Sequence, residues 1–255
     1  MNKFTFVVFI YFLFLGASFS QQEKGIFGVN NWLNNWTEFQ PNQEDYGDPA
    51  EILTGNITKN TKLLKRNVYL LMGNVFVTNE ATLTIEPGTV IIGDYETKGT
   101  LIISRGSTIV ADGLETDPIV FTSNRSRKKP GDWGGLVILG EAPTNKFGNG
   151  SVASLFPELS PEHYKNTNYG GDNAFSHAGI LRYVRIEYAG ARIGRGAYFP
   201  GLMLAGIGQT TLIDHVMVSF SAGKAIEIWG GDFEIKNTIA YKLSLIHISE
   251  PTRRS

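Results

Sequence analysis

The sequence predicts an all-β protein whose short strands wind into a solenoid. Glycine is abundant, at 29 of 255 residues, and together with plentiful Val, Ile, Thr and aromatic residues this indicates strands joined by tight turns. No segment repeats apolar residues at i, i+3, i+4 and i+7 over three turns, as an amphipathic helix would. Strand-like runs instead recur at a period of roughly 20 residues, which is typical of a β-solenoid.

The clearest repeat lies in the first half of the chain. The segment 82–94, TLTIEPGTVIIGD, aligns without gaps with the segment 100–112, TLIISRGSTIVAD, which begins 18 residues later. Six of the thirteen positions are identical. If this offset is one coil, Leu83 lies directly over Leu101, about 4.8 Å away.

Three later segments extend the repeat. VRIEY at 184–188, VMVSF at 216–220 and TIAYK at 238–242 share a strand pattern at offsets of 32 and 22 residues. Successive side chains of a strand point to opposite faces, so every second residue shares a face. The predicted inward-facing residues are Val184, Ile186, Tyr188, Val216, Val218 and Phe220.

An antiparallel β-sandwich or jelly roll is the alternative fold. Such folds show turn signals every 8–12 residues, and this chain does so too. The self-alignment favours the solenoid.

Composition excludes several classes of function. The chain has 23 Lys plus Arg and 24 Asp plus Glu, a net charge of −1, which argues against a generally basic nucleic-acid-binding protein. It has no cysteine, so disulfides, iron–sulfur clusters and thiol catalysis are excluded. None of the four histidines has the spacing of a zinc motif. We therefore predict neither a metal site nor a cofactor.

The first twenty residues have the pattern of a secretory signal peptide. Lys3 precedes an apolar run at 4–15, and the small residues Ala17, Ser18 and Ser20 stand at plausible cleavage positions. The alternative is a transmembrane anchor, but the run is shorter than the roughly 20 residues needed to span a bilayer. After cleavage, no segment is predicted to span a membrane.

Two further segments differ from the strand repeat. Residues 21–50 are rich in Asn, Gln and aromatic side chains and are expected to be a flexible leader or a cap on the first coil, since solenoid ends need covering. Residues 141–173 contain several Pro and Gly. They are expected to project from the solenoid as a loop insertion.

The C-terminal end is unusual. Residues 243–253, LSLIHISEPTR, resemble a translated sequencing-library adapter. We therefore expect residues 243–255 to be a non-native tail, and the β-helix at 51–242 to be truncated at its C-terminal end.

The strand segments resemble a family of exported surface proteins of Gram-negative bacteria. The motifs that carry the resemblance are LTGNIT (53–58), VYLL (68–71), ATLTIEPGTVI (81–91), GTLII (99–103), PIVFTS (118–123), GDWGG (131–135), LRYVRIEYAG (181–190) and AIEIWGG (225–231). The resemblance implies a right-handed parallel β-helix that is exported and often displayed at the cell surface, frequently with a type IX secretion sorting domain. Similar proteins generally have no assigned activity.

The best candidate binding residues are Glu227, Trp229 and Asp232. If Ile226 and Ile228 point inward, Glu227 and Trp229 share the outer face, and Asp232 follows just beyond. An exposed indole offers apolar area for stacking on a sugar, while carboxylates accept hydrogen bonds from hydroxyl groups. This pattern predicts a surface that binds a polysaccharide or cell-surface glycan.

A polysaccharide lyase or glycoside hydrolase is the enzymatic alternative. A hydrolase needs two carboxylates about 5–10 Å apart, for which Glu187 and Glu227 are outward-facing candidates. Arg182, Arg185 and Arg192 are candidates for a lyase base, although Arg185 and Glu187 are also suited to pair on the surface. The adjacent pair at 214–215 is interpreted as turn residues before a strand.

Together these observations predict an exported β-helix protein, at the cell surface, associated with the outer membrane or extracellular. Its predicted role is non-catalytic binding or scaffolding related to glycans or adhesion.

Overall fold

A computed structural model describes residues 31–145, 149–194 and 196–244. The predicted signal peptide and the tail from residue 245 onward lie outside these ranges. The chain divides into two compact units, residues 1–34 and 35–255. The described part of the first unit is a turn, in which the Asn34 amide donates to the carbonyl oxygen of Asn31 at 3.1 Å.

The second unit is built almost entirely from strands. Its 3₁₀ helices are Pro41–Gln43, Ala153–Leu155 and Pro161–Thr167. The strands, in chain order, are β1 Glu51–Ile57, β2 Thr61–Leu63, β3 Val68–Val77, β4 Thr82–Ile85, β5 Val90–Gly93, β6 Thr100–Ile103, β7 Thr108–Asp112, β8 Ile119–Ser123, β9 Gly135–Leu139, β10 Gly150–Ser151, β11 Asn168–Tyr169, β12 Gly179–Glu187, β13 Leu202–Ile207, β14 Leu212–Ser219, β15 Ile226–Gly231 and β16 Ile235–Tyr241.

Fourteen of these strands form one parallel sheet that winds as a right-handed β-helix with three faces. The first face contains β2, β4, β7 and the first halves of β12, β14 and β16. The second face contains β5, β8, the first halves of β1 and β3, and the second halves of β12, β14 and β16. The third face contains β6, β9, β13, β15 and the second halves of β1 and β3. The predicted β-helix is confirmed, and the antiparallel sandwich is excluded.

The coils follow one another in sequence order. They consist of β1; β2 with β3; β4, β5 and β6; β7, β8 and β9; β12 with β13; β14 with β15; and finally β16. We number these coils one to seven. The connection between coils four and five contains the short antiparallel pair β10 and β11.

Ladders of aliphatic residues fill the interior. On the third face the strand register aligns one such ladder through coils one to six: Ile57, Val77, Ile103, Ile138, Leu204 and Ile228. The four middle residues are fully buried, and each contributes roughly 1.5–3 kcal/mol of hydrophobic stabilisation. Ile228, at the upper end, is 51 % exposed.

The 18-residue alignment identified repeated strand units but not the stacking register. Leu83 pairs with Ile109, 26 residues later, whereas Leu101 pairs with Val75. The aligned segments begin with β4 and β6, which lie on different faces of the same coil. Their sequences are alike because every face needs inward aliphatic residues followed by a tight turn. The predicted stacking of Leu83 directly on Leu101 in the next coil is therefore wrong.

The later alignment predicted the register correctly. Val184 pairs with Val216, and Val216 pairs with Thr238. Ile186 likewise pairs with Val218. The buried core contains all four aliphatic residues of these pairs: Val184, Ile186, Val216 and Val218.

Tyr188 and Phe220 do not point into that core. Both have left-handed backbone conformations, with φ of +60° and +53°, which end the strand alternation at the corner. Their rings stack on each other with centroids 5.2 Å apart. The prediction that they face inward is therefore wrong.

The connection at 141–173 packs against the third face instead of projecting from it. A second apolar cluster forms between them. Its residues are Phe76, Ile102, Val137, Leu139, Met203 and Ala205 from the coils, Val152, Phe156, Leu159 and Tyr169 from the connection, and Phe199 from a neighbouring loop.

Residues 35–50 lie along the side of the β-helix. Phe39 contacts Tyr241 in coil seven, with ring centroids 4.9 Å apart. At the other end, the Ala50 amide donates to the carbonyl oxygen of Val68 in coil two at 2.8 Å. This part of the expected leader or cap therefore does not lie over the end of the first coil.

Among the described residues, no helix is long and apolar enough to cross a membrane.

Candidate functional site

The third face positions the predicted Glu227 and Trp229 on its outer side. They lie in β15, above Met203 and Ala205 of β13 respectively. The Lys224 ammonium contacts Glu227 Oε1 at 2.7 Å, and Trp229 Nε1 donates to the same oxygen at 3.2 Å. The prediction that these two side chains share a face is confirmed by this hydrogen bond.

Trp229 is partly buried rather than fully exposed. One side of its indole packs against the second apolar cluster, where its ring centroid lies 6.0 Å from that of Tyr169. Thr144 lies next to the following residue, Gly230. The connection at 141–173 therefore supports this indole from one side.

Asp232 stands apart from the other two predicted residues. It follows β15 at the next corner, where its amide donates to the carbonyl oxygen of Ile207 at 2.9 Å. The Gln209 side-chain amide donates to its carboxylate. The structure thus brings Glu227 and Trp229 together, whereas Asp232 lies at the opposite end of β15 from Glu227.

A cleft of about 490 Å³ opens beside the second apolar cluster. The connection at 141–173 and the loop before β13 form its walls. Phe156 and Phe199 contribute aromatic surface, with ring centroids 5.3 Å apart. The charged residues that line it are Lys98, Glu158 and Arg192.

Of the candidate catalytic and binding residues named from the sequence, Arg192 lines this cleft. The lining residues come from several segments between Asn74 and Phe199, so no single motif marks the cleft. Pro157, in the wall, belongs to the irregular stretch that was expected to be a projecting loop. Its apolar neighbours Val152, Phe156 and Leu159 were the only sequence signal that this stretch packs on a sheet.

Glu187 is not available as an outward catalytic acid. It is only 1 % exposed, and it lies on the second face, whereas Glu227 lies on the third. Burial raises the pKa of its carboxyl to about 7, although the neighbouring Arg185 lowers it. The expected surface pair of Arg185 and Glu187 is therefore a buried pair, with Arg185 Nε 3.4 Å from Glu187 Oε1.

The candidate lyase bases are engaged in other contacts. Arg182 makes a bidentate interaction with Asp112, with distances of 2.6 and 2.9 Å. This hydrogen bond raises the pKa of the Arg182 guanidinium, so the group stays charged. Arg192, which lines the cleft, donates from Nε to the carbonyl oxygen of Gly194 at 2.9 Å.

Asp214 and His215 lie inside β14 rather than in a turn before it. His215 Nδ1 is 2.9 Å from Asp214 Oδ1. The imidazole stacks on Tyr183 with centroids 4.5 Å apart, and Trp36 makes T-shaped contacts with both rings. The aromatic surroundings indicate a structural role.

Within residues 31–145, 149–194 and 196–244, no group of three or more His, Cys, Asp or Glu side chains is arranged to hold a metal ion.

Residues 55–244 match the model of a family described as pectate-lyase like beta helix domain. No curated protein and no solved structure matches the chain.

Proposed function

The chain belongs to the pectate-lyase-like β-helix family, and from that premise we propose that it is an exported, non-catalytic protein that binds polysaccharide on the outer side of its third face. One observation carries the proposal: the indole of Trp229 is held at the edge of an apolar surface by the carboxylate of Glu227. A supported aromatic side chain beside a fixed charge offers stacking area and hydrogen bonds together.

The same face offers room for more than one sugar ring. Phe156 and Phe199, which form the aromatic wall of the cleft, belong to the second apolar cluster. Trp229 packs against the same cluster. The cleft adds Lys98 and Arg192 as donors to hydroxyl or carboxylate oxygens. A chain of sugar rings lying along the third face would use both regions.

The carboxylates support binding more than hydrolysis. Glycoside hydrolysis uses two carboxyl groups on either side of the scissile bond. Glu187 is buried on another face, and Glu227 is already bonded to Lys224 and Trp229. The candidate acids named from the sequence therefore do not form such a pair.

Binding is tested with Trp229→Ala on a panel of immobilised acidic and neutral polysaccharides. We expect retention to fall by about tenfold, which corresponds to roughly 1.4 kcal/mol of lost binding free energy. Tyr164→Ala is the matched control, because Tyr164 is 51 % exposed and lies away from β15. Equal retention of both variants on every polysaccharide would refute the proposal.

Export rests on the first twenty residues, whose charged start, apolar run and small-residue exit match a signal peptide. Expression with a C-terminal epitope in a Gram-negative host, followed by mass spectrometry of the mature N-terminus, tests it. We expect cleavage close to Ser20 and recovery outside the cytoplasm. An intact Met1 in the cytoplasmic fraction would contradict export.

The enzymatic alternative rests on the cleft, which Lys98, Glu158 and Arg192 all line. A lyase would release an unsaturated sugar that absorbs ultraviolet light, and a hydrolase would release new reducing ends. We expect neither product from polysaccharides that the protein retains. Product formation that disappears in Arg192→Ala would replace the binding proposal with a catalytic one.

A further inference from the structure

The first face carries, on its outer side, a ladder with one side chain from each of coils two to seven. The strand register aligns Lys62, Thr84, Val110, Ile180 and Leu212 in that order. Glu234, one residue before the first paired residue of β16, extends the ladder into coil seven. This ladder, here called the stripe, therefore has a cation at one end, a carboxylate at the other and mainly aliphatic side chains between them.

The aliphatic residues of the stripe face outward. Leu181, next to Ile180 in β12, belongs to the interior core, so alternation places Ile180 on the other side of the sheet. The same holds for Val110 in the coil below and Leu212 in the coil above. Within residues 31–145, 149–194 and 196–244, neither apolar cluster includes these three side chains, and Leu212 is 38 % exposed. The stripe is therefore an apolar surface on the outside of the β-helix.

A ladder of charged residues runs beside the stripe. The strand register aligns Asp112, Arg182, Asp214 and Lys236 in coils four to seven. Glu86, which follows the last paired residue of β4, takes the same place in coil three. Arg182 binds Asp112 in the coil below with distances of 2.6 and 2.9 Å. The signs of the charges therefore alternate from coil four upward.

The two ladders form an ion pair at each end. Lys62 lies 2.7 Å from Glu86 in the lower coils, and Lys236 lies 2.7 Å from Glu234 in coil seven. The cation belongs to the stripe at the lower end and to the charged ladder at the upper end. Turning a copy of this face end over end therefore brings each charge at the ends of the stripe opposite a charge of the other sign.

We propose that the first face is the contact surface of a dimer, in which a second copy of the chain packs face to face with its coils in the opposite order. The two-fold axis runs parallel to the strands, between coils four and five, so each ladder faces the same ladder of the other copy. Coil two then faces coil seven, coil three faces coil six, and coil four faces coil five.

This arrangement joins complementary groups along the stripe. Lys62 faces Glu234 of the second copy at both ends, because the two-fold axis repeats the contact. Between them, Val110 faces Ile180 of the second copy, so the aliphatic surfaces cover each other. Charge complementarity of this kind selects one partner and one orientation. The face complements itself, which favours a second copy over a partner of a single charge.

The charged ladder fits the same arrangement. Asp112 faces Arg182 of the second copy, in addition to the pair that these residues form within each chain. Glu86 faces Asp214, which has the same charge, but each of these acids already has a lysine beside it. These lysines limit the repulsion at this place.

The size of the surface sets the strength of the dimer. Six coils spaced about 4.8 Å apart make the contact about 24 Å long, and three outward residues per strand make it roughly 15 Å wide. Each copy buries at least roughly 350 Å² in this area, compared with about 800 Å² per partner in a standard stable interface. We therefore expect a weak dimer that exchanges with the monomer.

Charge reversal tests the two end contacts by sedimentation velocity. All proteins carry Ile228→Lys, which charges the exposed upper end of the third face and leaves the first face unaltered. Lys62→Glu and Glu234→Lys each place like charges at both ends of their own dimer, and we expect each alone to dimerise at least about tenfold more weakly. An equimolar mixture should dimerise within about threefold of the starting protein, because the new acid of one chain faces the new lysine of the other.

Arg127→Glu and Glu96→Lys are the matched controls, because both residues are exposed and lie at the corner between the second and third faces. We expect each of them to dimerise as the starting protein does. A starting protein that stays monomeric at the highest attainable concentration would overturn the dimer. A mixture of Lys62→Glu and Glu234→Lys that dimerises as weakly as either variant alone would overturn it too.

Leu212→Lys separates dimerisation from glycan binding. It should abolish the dimer and leave retention on polysaccharides unchanged, because retention depends on Trp229 of the third face. Loss of retention, together with a monomeric starting protein, would assign the stripe to a glycan and overturn the dimer.

Cross-linking tests the opposite order of the coils, since the natural chain has no cysteine. Thr108 in coil four and Asn60 in coil two lie beside the stripe on the same outer side. In the dimer, Thr108 lies about 5 Å along the β-helix axis from Thr108 of the second copy, whereas the two Asn60 residues lie about 24 Å apart. Thr108→Cys should therefore be cross-linked by a short bismaleimide at least about tenfold faster than Asn60→Cys. Equal rates for the two variants would overturn this arrangement.

Discussion

Gly179 begins β12 with a φ of +134°, and a Cβ at this position would lie 1.9 Å from the carbonyl oxygen of Ile109. That oxygen belongs to β7, the strand below it. No side chain fits between the two strands at this point. The connection at 141–173 can therefore rejoin the sheet in register only through a residue without a Cβ.

Gly179→Ala should lower the free energy of unfolding by more than about 2 kcal/mol, because the clash is with backbone and the conformation is strained. Denaturant unfolding measures the change. Gly194→Ala is the matched control, since nothing lies within 4 Å of its Cβ position. Similar stability of the two variants would show that β7 and β12 separate easily.

Single residues also limit what the sequence could predict. Alternation correctly predicted that Glu227 and Trp229 share a face. It failed at Tyr188, because a left-handed residue other than glycine is uncommon and has no sequence signature. Glu187 was predicted to face outward, but it is buried, because residues distant in the chain such as Tyr46 and Thr122 lie against it.

At the scale of elements, the connection at 141–173 behaves as a small packed layer. Phe156 is its central side chain, with ring centroids 6.5 Å from Phe76 and 5.3 Å from Phe199. These contacts join the connection to β3 and to the loop before β13. Removing the ring should release the layer without disturbing the coils beneath it.

Phe156→Ala should raise the rate of proteolytic cleavage within 141–173 at least about tenfold, because local opening needs less energy than global unfolding. Slowly exchanging amides of β6 and β9 should keep their protection. Tyr164→Ala, an exposed aromatic in the same connection, should cleave at the natural rate. Loss of protection in β9 would mean that the layer and the coils unfold as one unit.

The sequence predicted where this connection lies in the chain but not how it packs. Its Pro and Gly residues indicated a break between strands, which is correct. Its apolar residues follow neither a period of 2 nor one of 3.6, so no face was evident. Packing on a distant sheet decides its structure, and the cleft that it forms could not be predicted for the same reason.

For the whole molecule, the upper end of the β-helix leaves part of an inward ladder exposed. Among the described strands, β15 pairs only with β13, and β16 only with β14. Ile228 continues an inward ladder but is half exposed. Strand edges that present unpaired donors and acceptors beside apolar side chains promote association.

We expect the 255-residue chain to associate as its concentration rises, and Ile228→Lys to reduce this association. Sedimentation velocity over a range of concentrations measures it. Leu114→Lys is the control, because Leu114 is 50 % exposed but lies at a corner between β7 and β8. A natural protein that stays monomeric and melts reversibly would contradict the prediction.

The fold class could be predicted because a solenoid repeats its requirements in every coil. The stacking register could be predicted only where the aligned strands occupy the same place in successive coils, as β12, β14 and β16 do. The 18-residue offset was misleading because the strands that it compared, β4 and β6, lie on different faces of one coil. The candidate cleft combines residues from several coils, so it depends on that register and was not predictable.

The segment at 35–50, which lies along the side of the β-helix, has a mechanical consequence. Coils in a stack contact only their neighbours, so a force along the axis would separate them one at a time, beginning at the weaker end. A segment that connects coil seven to coil two on the outside carries part of that load in parallel. Stretching the protein would then require the aromatic contacts of Trp36 and Phe39 to break before the outer coils could peel away.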